Sequence, residues 1–158
     1  MNFEFKHFYE LSHDELYDIL QLRSEIFVVE QVCVYNDLDG LDKVAVHLFM
    51  KKEGKIVACS RLLQPGTRFP EFSIGRVVVK HSERHKGLGN ALMEQAIKYM
   101  TEEWKARRIK ISAQKYLQKF YENLGFQVVT EEYFEDGIPH VGMLFEKKAE
   151  PTREFYFL

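Results

Sequence analysis

Apolar residues recur along this chain with two spacings, and the spacing changes where the elements change. Residues 3–9, FEFKHFY, alternate as a half-buried strand does. Ser12 and Glu15 form an S-x-x-E capping box, and Leu16, Ile19, Leu20, Ile26 and Phe27 follow at helical spacing, which predicts a helix over 13–28. Residues 31–44, QVCVYNDLDGLDKV, are acidic and aperiodic and predict a long loop. Strands over 45–52 and 56–63 flank the hairpin turn Glu53-Gly54-Lys55. QPGTRFPEF carries two prolines and a glycine and reads as a loop, and SIGRVVV, residues 73–79, as a buried strand. A second helix is expected over 87–103, with Leu88, Leu92, Ala96, Tyr99 and Met100 as its apolar stripe. A strand over 109–114 and a helix over 115–124 follow, the helix carrying Leu117, Phe120, Tyr121 and Leu124 on one face and Gly125 at its C′ position. Strands over 126–133 and 139–146 surround the turn Glu135-Asp136-Gly137. The order β-α-β-β-β-α-β-α-β-β predicts an α/β (α+β) fold, a single domain with a mixed sheet and helices on its faces.

Composition narrows the class. A chain of 158 residues, 46% hydrophobic and 14% aromatic, has enough apolar material for one sizeable core. A net charge of -2 leaves no global basic field for nucleic acid or for a membrane surface. No apolar run is long enough to span a bilayer, and MNFEFKHFYELSHDEL lacks a signal-peptide pattern, so a cytoplasmic location is expected. Cys33 and Cys59 read as reduced thiols. His81 and His85 are four apart but have no HExxH glutamate between them, so no metal site is expected.

Candidate chemistry begins at RHKGLGN, residues 84–90, where a buried strand gives way to a helix. A glycine-rich turn lets backbone N–H groups approach a ligand, and the first N–H groups of a helix have no internal partners. With the helix dipole they form an anion site, typically for phosphate. Lys80, Arg84, His85 and Lys86 concentrate positive charge there. The stretch fails the P-loop pattern, because neither lysine nor hydroxyl follows Gly89. It also fails the dinucleotide fingerprint, since its spacing is R-x-x-G-x-G and it follows about the fourth strand.

That spacing after Val77-Val78-Val79 resembles the acetyl-CoA pyrophosphate loop of the GNAT acetyltransferases, and FYENLGF, residues 120–126, resembles that family's second motif with its helix-borne tyrosine. LRSEIFVVEQ (22–31), DLDGLD (37–42), IGRVVV (74–79), SAQKYLQKFYENLGF (112–126) and EDGIPHVGM (135–143) are similar to the ElaA-like branch of the family. Val32 and Val34 stand where a polar residue and a proline are more usual in that branch. The likeness covers most of residues 3–147. It sets a domain over 1–148 apart from a C-terminal tail over 149–158.

The resemblance implies the GNAT fold, a mixed and mostly antiparallel sheet with helices on both faces. It implies acetyl-CoA as cosubstrate, and as partner a small-molecule or peptide amine acceptor. The pyrophosphate would lie on the amides of His85, Gly87, Leu88, Gly89 and Asn90, beside the charges of Arg84 and Lys86. Backbone along Val77, Val78 and Val79 would hold the pantetheine arm and the thioester carbonyl, where a backbone N–H would stabilise the tetrahedral intermediate. Gln114 stands where many members carry an asparagine that touches the cofactor, and Tyr121 where a tyrosine protonates the departing sulfur. On its own helix, Tyr121 also reads as a core residue.

An alkylamine of pKa about 10.4 must lose a proton before it attacks, so a general base is expected. The candidates are Glu30, Asp39, Glu71, Glu135 and His140, with Glu30 at the end of the first helix and His140 at the head of a late strand taken first. Asp37, Asp39 and Asp42 read as a solvated acidic loop. Two alternatives stand beside the acetyltransferase. One is an acyl-homoserine-lactone-synthase-like enzyme, which shares Arg23, Phe27, Arg61 and Glu71; but the 31–36 loop has no tryptophan. The other is a non-catalytic acyl-CoA-binding module. The aromatic tail, with Phe155-Tyr156-Phe157, would suit a contact in a homodimer.

Overall fold

A computed structural model describes residues 2–148, so the 149–158 tail and its expected dimer contact lie outside the described residues. Eight strands form one sheet: β1 (Phe3–His7), β2 (Val46–Lys52), β3 (Lys55–Leu63), β4 (Phe72–Val79), β5 (Arg108–Gln114), β6 (Phe126–Val128), β7 (Tyr133–Glu135) and β8 (Ile138–Glu146). The order across the sheet is β1-β2-β3-β4-β5-β8-β6, with β7 also paired to β8. Every pairing is antiparallel except β4 with β5. The mixed, mostly antiparallel sheet therefore stands as expected.

Alternation along the strands sends side chains to two cores. Leu48 and Met50 turn toward helix α2 (Leu88–Glu102), which buries Leu88, Leu92, Met93, Ala96 and Met100. Phe49, between them, turns the other way and meets Ile19 and Leu22 of helix α1 (His13–Arg23). Short helix α3 (Gln118–Glu122) joins α2 on its side through Tyr121. Helices thus cover both faces. Ser12 caps α1 as the sequence foretells: its hydroxyl accepts from the Glu15 N–H at 3.0 Å, and Glu15 accepts from the Ser12 N–H at 2.9 Å.

Four expected boundaries shift. The helix expected over 115–124 is a 3-10 turn over Lys115–Leu117 and an α-helix over Gln118–Glu122 with Asn123 as its C-cap, which puts Gly125 one residue beyond the expected C′ position. The first strand stops at His7, and Phe8–Glu10 form a 3-10 turn. The first helix is α-helical only to Arg23; Ser24–Glu30 continue as a π-helix, with the Gln31 N–H bonded to the Ile26 carbonyl at 3.1 Å. The wider turn brings Phe27, Glu30 and Gln31 round to one cavity wall. The strand expected over 126–133 is two strands. At the break, the Thr130 hydroxyl accepts from the Gly142 N–H at 2.7 Å, taking the place of a ladder carbonyl. Gly142 makes this possible, since a Cβ there would lie 2.6 Å from Thr130 Cγ2.

The expected acidic loop is corrected. Asp37 and Asp42 are buried, and Asp39, which does keep solvent exposure, is paired with Arg61; together they are half of a charge network. Arg23 bonds Asp37 at 2.9 Å and Asp42 at 2.6 Å, Arg61 bonds Asp39 at 2.8 Å and Asp42 at 3.2 Å, and Arg76 bonds Asp37 at 2.7 Å. Arg23 and Arg61 are each 1% exposed. Three arginines from α1, β3 and β4 balance the three aspartates, which is what burial of charge demands. Three of the loop's apolar residues contribute no anchor: Val32 is 88% exposed, Val34 100% and Leu38 55%.

Candidate active site

The site begins where two strands part. β4 pairs with β5 only at Phe72 with Ile109 and Ser73 with Lys110. An unbroken ladder would go on to set Gly75 beside Ser112 and Val77 beside Gln114. Instead β4 bulges, with Ser60 of β3 facing both Arg76 and Val77, and Arg76 takes a φ of 50°. Beyond Ser73 the β5-facing edge of β4 has no strand partner among the described residues. A cavity of about 640 Å³ occupies the gap. Val77 and Val79 send their side chains to the α2 core and Val78 to the α1 core, so what this segment offers the cavity is chiefly backbone.

The N-terminus of α2 opens onto the same cavity. Gly87 is its N-cap, held at φ 76° in the left-handed region that glycine enters without cost. No side chain caps this end and its first turn carries no acidic residue. The N–H groups of Leu88, Gly89 and Asn90 are therefore left for a ligand, with the positive end of the helix dipole behind them. His85, at φ 65°, turns the loop before it. At Gly89 a Cβ would meet Val79 at 3.7 Å and Phe120 at 3.8 Å, ordinary contacts, so packing within the protein does not require glycine there. A side chain would instead fill cavity space. An uncapped helix end, an unpaired strand edge and an elongated gap between them suit a long ligand with an anionic group at one end.

The basic residues of the loop already have partners. Arg84 donates to the Val79 carbonyl at 3.2 Å and grips Glu30 through two nitrogens, at 3.0 and 2.6 Å. Lys86 bonds Glu83 at 3.1 Å. The Asn90 side chain bonds Glu94 at 2.9 Å, so only its backbone is offered to the cavity.

Tyr121 lies against Phe120 and Phe126 in edge-on contacts and lines the cavity. It is 7% exposed, and its hydroxyl has no hydrogen-bond partner among the described residues. Burial pushes the phenol above its usual value, with a smaller push from Tyr116, so it stays protonated at neutral pH. Gln114 faces Gln31 in a reciprocal amide pair, at 3.1 and 3.2 Å, that bridges the cavity.

The five base candidates separate. Asp39 sits in the arginine network: burial opposes its charge, but the Arg61 guanidinium and the Leu41 N–H outweigh it and hold the carboxyl well below the usual range. Glu71 lies outside the cavity, 4.0 Å from Arg108. Glu30 lines the cavity, but Arg84 holds its carboxylate below the ordinary value, aided by His81 at 3.2 Å. A carboxylate so held accepts a proton poorly.

His140 and Glu135 come together, Nε2 to Oε2 at 3.4 Å. The His140 Nδ1 lies 2.7 Å from the Ile138 carbonyl, an acceptor only, so this nitrogen carries a hydrogen and Nε2 is the nitrogen turned to Glu135. Around Glu135 stand Ser112, at 3.4 and 3.5 Å, and Arg68, at 2.6 Å, while the Ser112 hydroxyl bonds Tyr133 at 2.5 Å. The sequence reading missed Gln31, Arg68, Ser112 and Tyr133. Ser112 does lie in a motif quoted above, but Arg68, in a loop punctuated by prolines, carried no signal. Among the described residues, no three histidine, cysteine or carboxylate side chains gather as metal ligands, and no helix is long and apolar enough to cross a membrane.

Known proteins share this architecture. A family model described as "Acetyltransferase (GNAT) domain" matches residues 23–147. Protein ElaA of Escherichia coli strain K12 is 42% identical over 142 residues, which span 89% of this chain and 93% of that protein. The crystal structure of an acyl-CoA N-acyltransferase from Pseudomonas aeruginosa superposes with a TM-score of 0.86 at 44% identity, over 92% of this chain and 99% of that one. The crystal structure of E. coli ElaA also gives 0.86, at 39% identity and the same coverage.

Proposed function

The chain belongs to the GNAT family of acetyltransferases and is an acyl-CoA-dependent acyltransferase; from that premise we propose that it moves an acetyl group from acetyl-CoA to the amine of its acceptor by direct attack, through a tetrahedral intermediate. The observation that carries this reading is the meeting of the uncapped Gly87 end of α2 with the unpaired edge of β4 in one cavity.

The amides of Leu88, Gly89 and Asn90, with those of His85 and Gly87 before them, receive the pyrophosphate. Backbone groups along Val77–Val79 receive the pantetheine arm, and Gln114 borders it. Acetyl-CoA supplies an activated thioester. A backbone N–H on the parted edge of β4 stabilises the charge that develops on its carbonyl oxygen. The Nε2 of His140 takes a proton from the acceptor ammonium. Tyr121 faces the sulfur and hands it a proton as the carbon–sulfur bond breaks. Its raised pKa keeps that proton in place until negative charge develops on sulfur. Of the ammonium's three protons, one stays on the amide, one reaches sulfur, with Tyr121 regaining its own from the amine, and one leaves through His140. Glu30, expected as a base, has a different task in this scheme: it holds Arg84 against the pyrophosphate loop.

Thermal melts with acetyl-CoA, CoA and ATP test the reading. At 100 times its dissociation constant a ligand stabilises by about 2.7 kcal/mol. For a chain of this length the melting temperature then rises by roughly 5–11 °C. A rise with acetyl-CoA and CoA but not with ATP is expected; no rise at saturating acetyl-CoA would overturn the proposal.

A further inference from the structure

The half of the cavity away from the Gly87 loop carries its own charge pattern. Several ionisable residues on the wall are already engaged: Glu30 with Arg84, Arg76 with Asp37, Glu83 with Lys52 and Lys86. Arg68 and Glu135 form a further pair, as open as that of Glu30 with Arg84 and away from the Gly87 loop. They come from the loop before β4 and from β7, two segments that approach each other across the mouth, and they pair at 2.6 Å with side chains 26% and 36% exposed. A pair this open adds little to folding stability, so a ligand can part it at small cost.

Each pole is reinforced. The Arg68 guanidinium lies 5.0 Å from the centre of the Phe69 ring, and Lys110 Nζ lies 5.0 Å from the same ring. Glu135 is followed by Asp136, which also lines the cavity. At the negative pole, His140 Nε2 lies 3.4 Å from a Glu135 carboxylate oxygen. The two carboxylates of Glu135 and Asp136 suit an ammonium group.

We propose that the acceptor is a free α-amino acid, bound with its ammonium on Glu135, beside His140, and its carboxylate on Arg68. The adjacency of the poles sets the class. Charges paired at 2.6 Å fit a ligand whose own opposite charges sit on neighbouring carbons. A long diamine would leave Arg68 unmatched and a protein lysine would bring no carboxylate beside its amine. Arg68 is then the specificity residue: its fork matches a carboxylate in two-point contact. The inference rests on the acetyltransferase reading above.

The test is CoA release from acetyl-CoA with the twenty standard L-amino acids, each beside its carboxamide, which keeps the amine and lacks the negative charge. At least one amino acid should exceed its carboxamide in kcat/KM by about tenfold or more. Arg68→Gln should erase that preference by raising KM for the acid far more than for the carboxamide. Glu135→Gln should slow both. Melts of the variants with and without acetyl-CoA establish that each is folded and still takes the donor. Equal rates for acid and carboxamide, or a preference that survives Arg68→Gln, overturn the proposal. So does a melt that rises with acetyl-CoA while none of the twenty releases CoA, and in that case the acetyltransferase reading survives. A melt that does not respond to acetyl-CoA removes both.

Discussion

Among the described residues, Tyr121 is a phenol whose hydroxyl has no hydrogen-bond partner. Its ring is packed by Phe120 and Phe126 while its hydroxyl remains at the cavity. The sequence left two meanings for this residue, core and proton donor, and the fold gives it both: the ring belongs to the core and the oxygen to the site. Tyr121→Phe separates them. The ring is kept, so acetyl-CoA should raise the melting temperature as in the parent, while kcat falls by about 10²–10⁴-fold. Equal turnover by the variant would remove Tyr121 from the chemistry. At this scale the sequence was most informative where backbone sets the chemistry. Gly87 and the helix start after it could be read directly, because an uncapped helix end depends on local residue types. Glu135 and His140 could be named from sequence, but their pairing could not, and neither could the arrival of Arg68, 67 positions before Glu135.

The elements followed their periodicity in kind and departed from it at their ends. Helical spacing located α1, but the same spacing carries on through Ser24–Glu30, where the turn widens to a π-helix. Hydrophobic period does not distinguish the two, since Ile26 still reaches the core. Likewise the run from Phe126 read as one strand because nothing in a β-rich sequence announces that the Thr130 side chain will stand in for a backbone carbonyl.

The start of α1 yields a prediction about pH. Burial raises the Glu15 pKa, but the Lys51 ammonium, the Ser12 N–H and Lys6 together outweigh it and bring the carboxyl down to about 2. A depressed folded value means that the contribution is present above the unfolded value, near 4.5, and is lost as pH falls toward about 2. Glu15→Gln should therefore cost about 1–3 kcal/mol at neutral pH. It should also make the fall in melting temperature between about pH 4.5 and 2 shallower. An unchanged acid slope would show that this carboxylate is not coupled to folding.

Across the whole molecule, the class of sheet, the two helical faces and the order of elements were legible because the fourth strand and the helix after it are long and strongly patterned. The charge network was not. Asp37, Asp39 and Asp42 looked like solvent-facing residues, since the arginines that pair with them come from three separate elements. Arg61→Met should leave Asp39 unpaired and the buried Asp42 short of one partner, and cost about 3–5 kcal/mol. Calorimetric melts should place its midpoint about 6–20 °C below the parent, and adding Asp39→Asn should recover part of the loss. A variant as stable as the parent would mean that the network is not holding the loop.

How the 31–44 loop is fastened also governs how it can change over generations. Its hold on the body lies in the aspartates; Val32, Val34 and Leu38 stand in solvent. Losing one charge strands another, so the aspartates and arginines can drift only in concert. The exposed valines are under no such constraint. The solvent face of this loop can therefore sample new side chains on a fixed backbone path, while Cys33 and Tyr35, which lie between them and line the cavity, stay where the charge network sets them.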